Sequence, residues 1–368
     1  MTASEHCEQI QMVEPHLPKA ATEALTEVVE SGAIEGGEEV RRFESEFSSF
    51  CGTAYGIATK SGVAAREAAL AALGLGDGST VLVAALAPIS TLNAIRSVGA
   101  KAVFVDIDPE THTLDPAAAE QVINRRNSEI DALVVAHLDG LPAEMDPLQD
   151  LANSYDIPLV EDASQAHGAN YRGRPVGSLG DVGFFSFSPT RNLTTGSGGI
   201  VVTNSDDIAA EARQYVEYGC TDRQDLPVAA DTHRMGELNA ALGRAQLERL
   251  PTLLRTRRDN ASQLRSQLSD TDVRTPAEPD HVTHAYNQFT IRCRRRDDLK
   301  DHLEEFGIES AVRFPRPLQE CASNASTADA PAASAAADEM LALPVHPTLS
   351  ESEVATVGEA VRYFDSFV

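Results

Sequence analysis

Three short stretches carry residues whose types and spacing suit a phosphorylated ligand. In TKSGVAAREAALAALGLG, Ser61 and Gly62 open a helical pattern. Free backbone N–H groups at a helix N-terminus suit a phosphate, and a serine there serves equally well as a plain N-cap. In PLVEDASQAHGANYRG, Asp162 stands at the carboxyl end of an apolar run, where open α/β sheets place their ligands. A carboxylate at that point can pair with the pyridinium nitrogen of pyridoxal phosphate (PLP) or bond to nearby backbone. The third stretch, GFFSFSPTRNLTTGSGGIVVTN, reads as a strand, a polar turn and a glycine-rich return strand, which is also the pattern of a plain hairpin.

The surrounding sequence predicts the scaffold. Two helical patterns, HLPKAATEALTEVVESG and GGEEVRRFESEFSSF, precede the first stretch, and Gly32 stops the earlier one. Apolar strands over 81–86, 102–107, 131–138 and 158–164 then alternate with helical stretches. That alternation is the mark of a mostly parallel sheet covered on both faces. The runs 182–187 and 199–204 follow one another with no helix between them, so part of the sheet is expected to be antiparallel. Residues 234–268 read as one long amphipathic helix that Pro251 should kink or break in two. The composition shifts beyond it. We place a large α/β domain over 1–250 and a small α+β domain over 251–368, with the Ala/Ser-rich stretch 322–338 as a mobile loop.

Composition narrows the function classes. The 368 residues are 42% hydrophobic and 23% charged, an ordinary globular balance, with a net charge of −26. Such acidity repels phosphate backbones and anionic lipid, so neither nucleic acid nor membrane is an expected partner. Only four of the 30 basic residues are lysine: Lys19, Lys60, Lys101 and Lys300. An acidic, lysine-poor chain points to a salt-adapted cytoplasm; arginine usage alone does not explain the carboxylate excess. Five scattered cysteines without a CxxC signal neither a disulfide framework nor a metal site. The opening residues MTASEHCEQIQ fit no signal or transit peptide, and no apolar run reaches membrane-spanning length, so a cytoplasmic protein is expected.

Taken together, the three stretches resemble the DegT–DnrJ–StrS family of sugar aminotransferases, from about Glu14 to Phe367. SGAIEGGEEVRRFESEF, VGAKAVFVDIDPETHTLDP, HLDGLPAEMDPL, RMGELNAALGRAQLERL and LALPVHPTLS support the likeness in the same order. The resemblance implies the fold type I PLP-transferase architecture: a seven-stranded-type, mostly parallel sheet and a smaller C-terminal domain. It also implies a dimer with the site at the subunit interface, and a nucleotide-sugar ligand. Asp162, Gln165 and Ser186 then fall on positions that meet the pyridine nitrogen, the ring face or its oxygen, and the phosphate.

Several positions depart from that pattern. Where the family reads SFHPTKNLTTGEGG, with the lysine that forms the Schiff base, this chain has Arg191 in FSFSPTRNLTTGSGG. A guanidinium stays charged at physiological pH, so it can neither hold an internal aldimine nor act as the proton-moving base. It still suits a phosphate or carboxylate. The family's Ser-Gly-Thr loop is Ser61-Gly62-Val63 here, its ring-stacking aromatic falls at Pro88, and its GEGG glutamate is Ser197. Its partner-reaching asparagine falls at Thr232, and its His-Tyr-Pro is Arg313-Phe314-Pro315. Lys60 and His167 are the candidate substitutes: the first, directly before the phosphate loop, is a replacement lysine or a surface or structural residue, the second a base or a pocket wall.

Three readings follow. One is a degenerate aminotransferase-like protein that binds PLP weakly and non-covalently, if at all. It would pair as a homodimer or with an active paralogue. The second is a non-aldimine dehydratase, whose histidine Arg191 does not match. The third is an active nucleotide-sugar aminotransferase, which the missing lysine opposes.

Overall fold

The computed structural model describes residues 9–126, 129–217, 232–321 and 329–366. Seven strands form the main sheet: β1 (Tyr55–Thr59), β2 (Thr80–Ala84), β3 (Lys101–Val105), β4 (Ala132–Ala136), β5 (Leu159–Asp162), β8 (Val182–Ser186) and β9 (Gly199–Thr203). Two short strands, β6 (Asn170–Tyr171) and β7 (Arg174–Pro175), lie between β5 and β8 and join β10 (Val282–Thr283) in a separate small sheet. The main order is β1-β9-β8-β5-β4-β2-β3. The run from β3 to β8 is parallel, while β9 is antiparallel to both β8 and β1. Expectation and structure agree here: a strand that follows its neighbour without a crossover helix must return antiparallel.

The helices α1 (Lys19–Ser31) and α2 (Glu38–Cys51) precede β1; α3 (Gly62–Ala72), α4 (Ile89–Ser97), α5 (Pro116–Arg126) and α6 (Met145–Tyr155) connect strands, and α7 (Asp206–Val216) follows β9. Gly32 ends α1 with φ of 72°, a left-handed cap that glycine adopts without strain. Glu44 of α2 is buried. It accepts the Ala58 N–H of β1 at 2.8 Å and two N–H groups of Arg213 from α7 at 2.7 and 2.9 Å, tying three elements together.

The long helix α8 (Glu237–Gln267) is not broken at Pro251. Proline removes one backbone donor, but Leu250, Leu253 and Leu254 are buried around it, and that packing carries the helix through. Beyond it come β11 (Phe289–Arg292), α9 (Arg296–Glu305), α10 (Leu318–Cys321), α11 (Pro331–Glu339), β12 (Met340–Leu343) and α12 (Glu351–Asp365), with β11 and β12 paired antiparallel. A second apolar core gathers Leu264, Leu268, Phe289, Leu299, Leu341 and Val357, separate from the core of the main sheet.

The Ala/Ser-rich stretch differs from expectation. Residues 322–328 lie outside the described residues, but Pro331–Glu339 is helical, not a loop. Alanine is the best helix former and Pro331 sits at its first turn. The Asp106 carboxylate accepts the N–H groups of Ala332 and Ala333 at 3.0 and 2.9 Å. Ala333, Ala336 and Ala337 then bury against the main core. Among the described residues no helix is long and apolar enough to cross a membrane.

Candidate functional site

Strand β5 ends in two consecutive carboxylates, and the pleat sends them to opposite faces of the sheet. Glu161 accepts N–H groups from Gly177, Leu179 and Gly180 at 2.6–2.7 Å and pairs with His137 at 2.9 Å. His137 Nδ1 accepts the Ala143 N–H at 3.1 Å, so its proton sits on Nε2 and is donated to Glu161. That face is structural. It locks the end of β5 and so positions the other face.

Asp162 is 2% exposed on that other face. Thr91 of α4 donates its hydroxyl to Oδ2 at 2.6 Å, and the Ser164 N–H reaches Oδ1 at 3.2 Å. Arg66 Nε of α3 lies 3.5 Å from Oδ2. The same guanidinium donates to the Gly62 carbonyl at 2.9 Å and the Ser164 hydroxyl at 3.0 Å, and lies over the Phe184 ring at 5.3 Å. Burial alone would raise the Asp162 pKa; the Arg66 charge and the bonds from Thr91 and Ser164 outweigh it and hold the carboxyl below its ordinary range.

The start of α3 is seated directly on the sheet. Ser61 caps it by accepting the Ala64 N–H at 3.2 Å. A Cβ on Gly62 would stand 2.3 Å from Ser186 Oγ, and one on Gly199 would stand 2.7 Å from the Ser61 carbonyl. Only glycine permits this approach, which brings Ser61, Gly62 and Ser186 together. Val63 is 42% exposed at the same turn, and Pro88 precedes the first turn of α4, whose Thr91 holds Asp162.

The turn after β8 carries Arg191, whose backbone N–H donates to the Ser188 carbonyl at 3.0 Å. Its Nε and Nη1 are sealed from solvent and have no hydrogen-bond partner among the described residues. Burial, together with the charges of Arg66 and Arg313, lowers its pKa to about 10, with Asp162 and Asp139 opposing. It therefore remains a cation at neutral pH.

Gln165 is buried and accepts the Asp139 N–H at 2.6 Å. Asp139 has φ of 55° and takes the Thr290 hydroxyl on Oδ2 at 2.6 Å. Burial raises its pKa, against the Thr290 bond and the Arg313 and Arg191 charges. His167 is fully buried among Phe47, Phe185 and Phe187, with ring centroids 6.3, 5.2 and 5.6 Å away. Burial, then Arg191 and Arg257, push its pKa down to about 3, so it is a neutral wall residue at working pH. Lys60 turns elsewhere: its ammonium donates to the Thr232 carbonyl at 2.7 Å, and its own carbonyl accepts the Ser197 hydroxyl at 2.8 Å.

Two charged residues of this site, Arg66 and Asp139, are missed by sequence reasoning. Arg66 had a signal, since it is a lone cation four places after Gly62 in an alanine-rich helix. Asp139 stands three residues past the end of β4, at the same edge of the sheet as Asp162. Among the described residues, no group of three or more metal-ligating side chains gathers.

The sequence pattern of the DegT/DnrJ/EryC1/StrS aminotransferase family matches residues 15–362. The chain is 34% identical to dTDP-3-amino-3,4,6-trideoxy-alpha-D-glucose transaminase of Streptomyces venezuelae, over 92% of this chain and 90% of the relative. It is 33% identical to UDP-N-acetyl-3-dehydro-alpha-D-glucosamine 3-aminotransferase of Acidithiobacillus ferrooxidans, over 94% and 95%. A putative sugar aminotransferase from Streptococcus pneumoniae in its PLP form superposes with a TM-score of 0.90 at 25% identity, covering 98% of this chain and 99% of that one.

Proposed function

The chain belongs to the DegT/DnrJ/EryC1/StrS aminotransferase family, and from that premise we propose that it serves nucleotide-sugar or polysaccharide metabolism without transaminating. The observation that carries this reading is Arg191. On the family motif it stands where the Schiff-base lysine belongs, and even with its pKa lowered to about 10 the guanidinium is protonated at neutral pH. A protonated guanidinium has no lone pair for a carbonyl carbon and takes no proton from one.

The residues present fit PLP only at one end. Ser61, Gly62 and Ser186 still form a cradle for a phosphate. The ring end does not fit. Asp162, the carboxylate that would meet a pyridinium nitrogen, is already held by Thr91 and Ser164 and faced by Arg66. Pro88 offers no aromatic face, and no lysine stands at the turn after β8. PLP binding here is weak and non-covalent.

The protein acts in the cytoplasm as a homodimer or as the partner of an active paralogue. Val63 and Ile89, 42% and 53% exposed at the first turns of α3 and α4, are apolar surface that a second subunit would cover. The test is an absorbance spectrum with added PLP, followed by borohydride reduction and an assay with glutamate and a keto-sugar nucleotide. We expect no reducible aldimine band and no amino transfer. Turnover of glutamate that disappears in Lys60→Ala would overturn the reading.

A further inference from the structure

We propose that Arg66 is the standing counter-ion of Asp162 and that Arg191, left as a surplus cation, makes this pocket an oxyanion site. Its ligand brings a phosphate or carboxylate to Arg191 and no cationic ring nitrogen to Asp162. This deepens the reading above, on which the pocket keeps a ligand without transaminating.

The local charges lead there. Arg66 and Asp162 are each 2% exposed and stand as an ion pair, with the Gly62 carbonyl and the Ser164 hydroxyl each taking one donor of the guanidinium. Thr91 occupies the same carboxylate oxygen. A cationic ring arriving at Asp162 would have to displace a buried guanidinium and strand its charge, a costly exchange. Arg191 has no such ion pair. Two of its nitrogens are buried with no hydrogen-bond partner among the described residues, a state that native structures rarely leave uncompensated. Arg313 adds charge of the same sign nearby. Asp139, the other carboxylate that Arg191 feels, commits Oδ2 to Thr290 and leaves Oδ1 buried without a hydrogen-bond partner among the described residues, so the two groups do not satisfy one another. Neither carboxylate that Arg191 feels hydrogen-bonds its Nε or Nη1 among the described residues. An oxyanion meets the need because it accepts several N–H bonds at once and pairs with the guanidinium charge.

The full chain is titrated calorimetrically, at one fixed ionic strength, with inorganic phosphate, glutarate and pyridoxine, the last a pyridinium-type ring with neither phosphate nor carboxylate. We expect saturable binding of phosphate, glutarate or both, and none of pyridoxine over the same concentrations. Arg191→Gln should weaken the oxyanion by about tenfold or more. Arg172→Gln, which removes a surface cation paired with Asp146, should leave affinity unchanged and so controls for net charge. The proposal is overturned if neither oxyanion binds, if Arg191→Gln binds like the unaltered protein, or if pyridoxine binds as tightly as the oxyanions. None of these titrations measures amino transfer, so a failure here is distinct from a failure of the transamination reading.

Discussion

Arg66 Nε stands 3.5 Å from Asp162 Oδ2, with both side chains closed off from solvent. The pair holds its own balance, and removing one member strands the other. Arg66→Met is expected to cost about 3–5 kcal/mol at pH 7, the penalty for an unpaired buried charge. The pH dependence separates this from lost packing. In the unaltered protein the Asp162 pKa is depressed, so its stabilisation is present above the unfolded carboxylate pKa and is lost as pH falls through the lower folded value. Without Arg66, burial dominates and raises the pKa, so the deficit should shrink as pH falls from 7 towards 5. Urea denaturation at the two pH values checks it; an equal deficit at both would mean that Asp162 is not the source.

His167 leads to a second pH prediction with the opposite chemistry. Its folded pKa of about 3 lies below the ordinary 6.5, so between those values the unfolded chain takes a proton that the folded chain refuses. Stability therefore falls as pH drops through that window, by about 1.4 kcal/mol per unit for this group. His167→Phe keeps the ring among Phe47, Phe185 and Phe187 and removes the titration. Relative to the unaltered protein, the variant should gain stability progressively from pH 6 to 4. A constant difference across that range would show that the imidazole can be protonated in place.

Salt should act on the whole chain. With a net charge of −26, carboxylate repulsion favours the unfolded state when screening is weak. Thermal melts in dilute and in molar potassium chloride should give the higher midpoint in molar salt. An equal or higher midpoint in dilute buffer would mean that the acidity is not a salt adaptation.

What the sequence shows and what it hides divide along the range of the contacts. Asp162 was legible because an apolar run ending in a carboxylate marks the end of a buried strand. The antiparallel return of β9 was legible because no helix-forming stretch separates it from β8. Arg66 was only half legible: a lone cation in an alanine-rich helix stands out, but its partner Ser164 is 98 positions away, so the sequence does not say what it pairs with. The same holds for Asp139, whose partner Thr290 is 151 positions on. The helix Pro331–Glu339 was hidden differently. Its alanines look like low complexity until the Asp106 carboxylate, 226 positions earlier, caps them. Local pattern carries the elements, and long-range closure decides which charges meet.

The last prediction concerns regaining the cofactor. Arg191→Lys alone supplies an amine but leaves the ring end as it is, with Asp162 held by Thr91 and Arg66. We expect little covalent PLP from that single change. Adding Val63→Thr, Pro88→Phe and Thr232→Asn supplies a hydroxyl at the start of α3, a ring face and an amide, and should restore cofactor binding. The fourfold variant still keeps the guanidinium against Asp162, so its bound PLP lacks a partner for the protonated ring nitrogen. Adding Arg66→Met frees that carboxylate, and the pyridinium then replaces the lost counter-ion, offsetting the destabilisation expected of Arg66→Met by itself. Affinity should therefore rise in the order single, fourfold, fivefold, read by PLP absorbance and by the mass increment after borohydride reduction. If Arg191→Lys alone takes up PLP as tightly as the fivefold variant, the Arg66–Asp162 pair is no obstacle, and the lysine position alone governs cofactor binding.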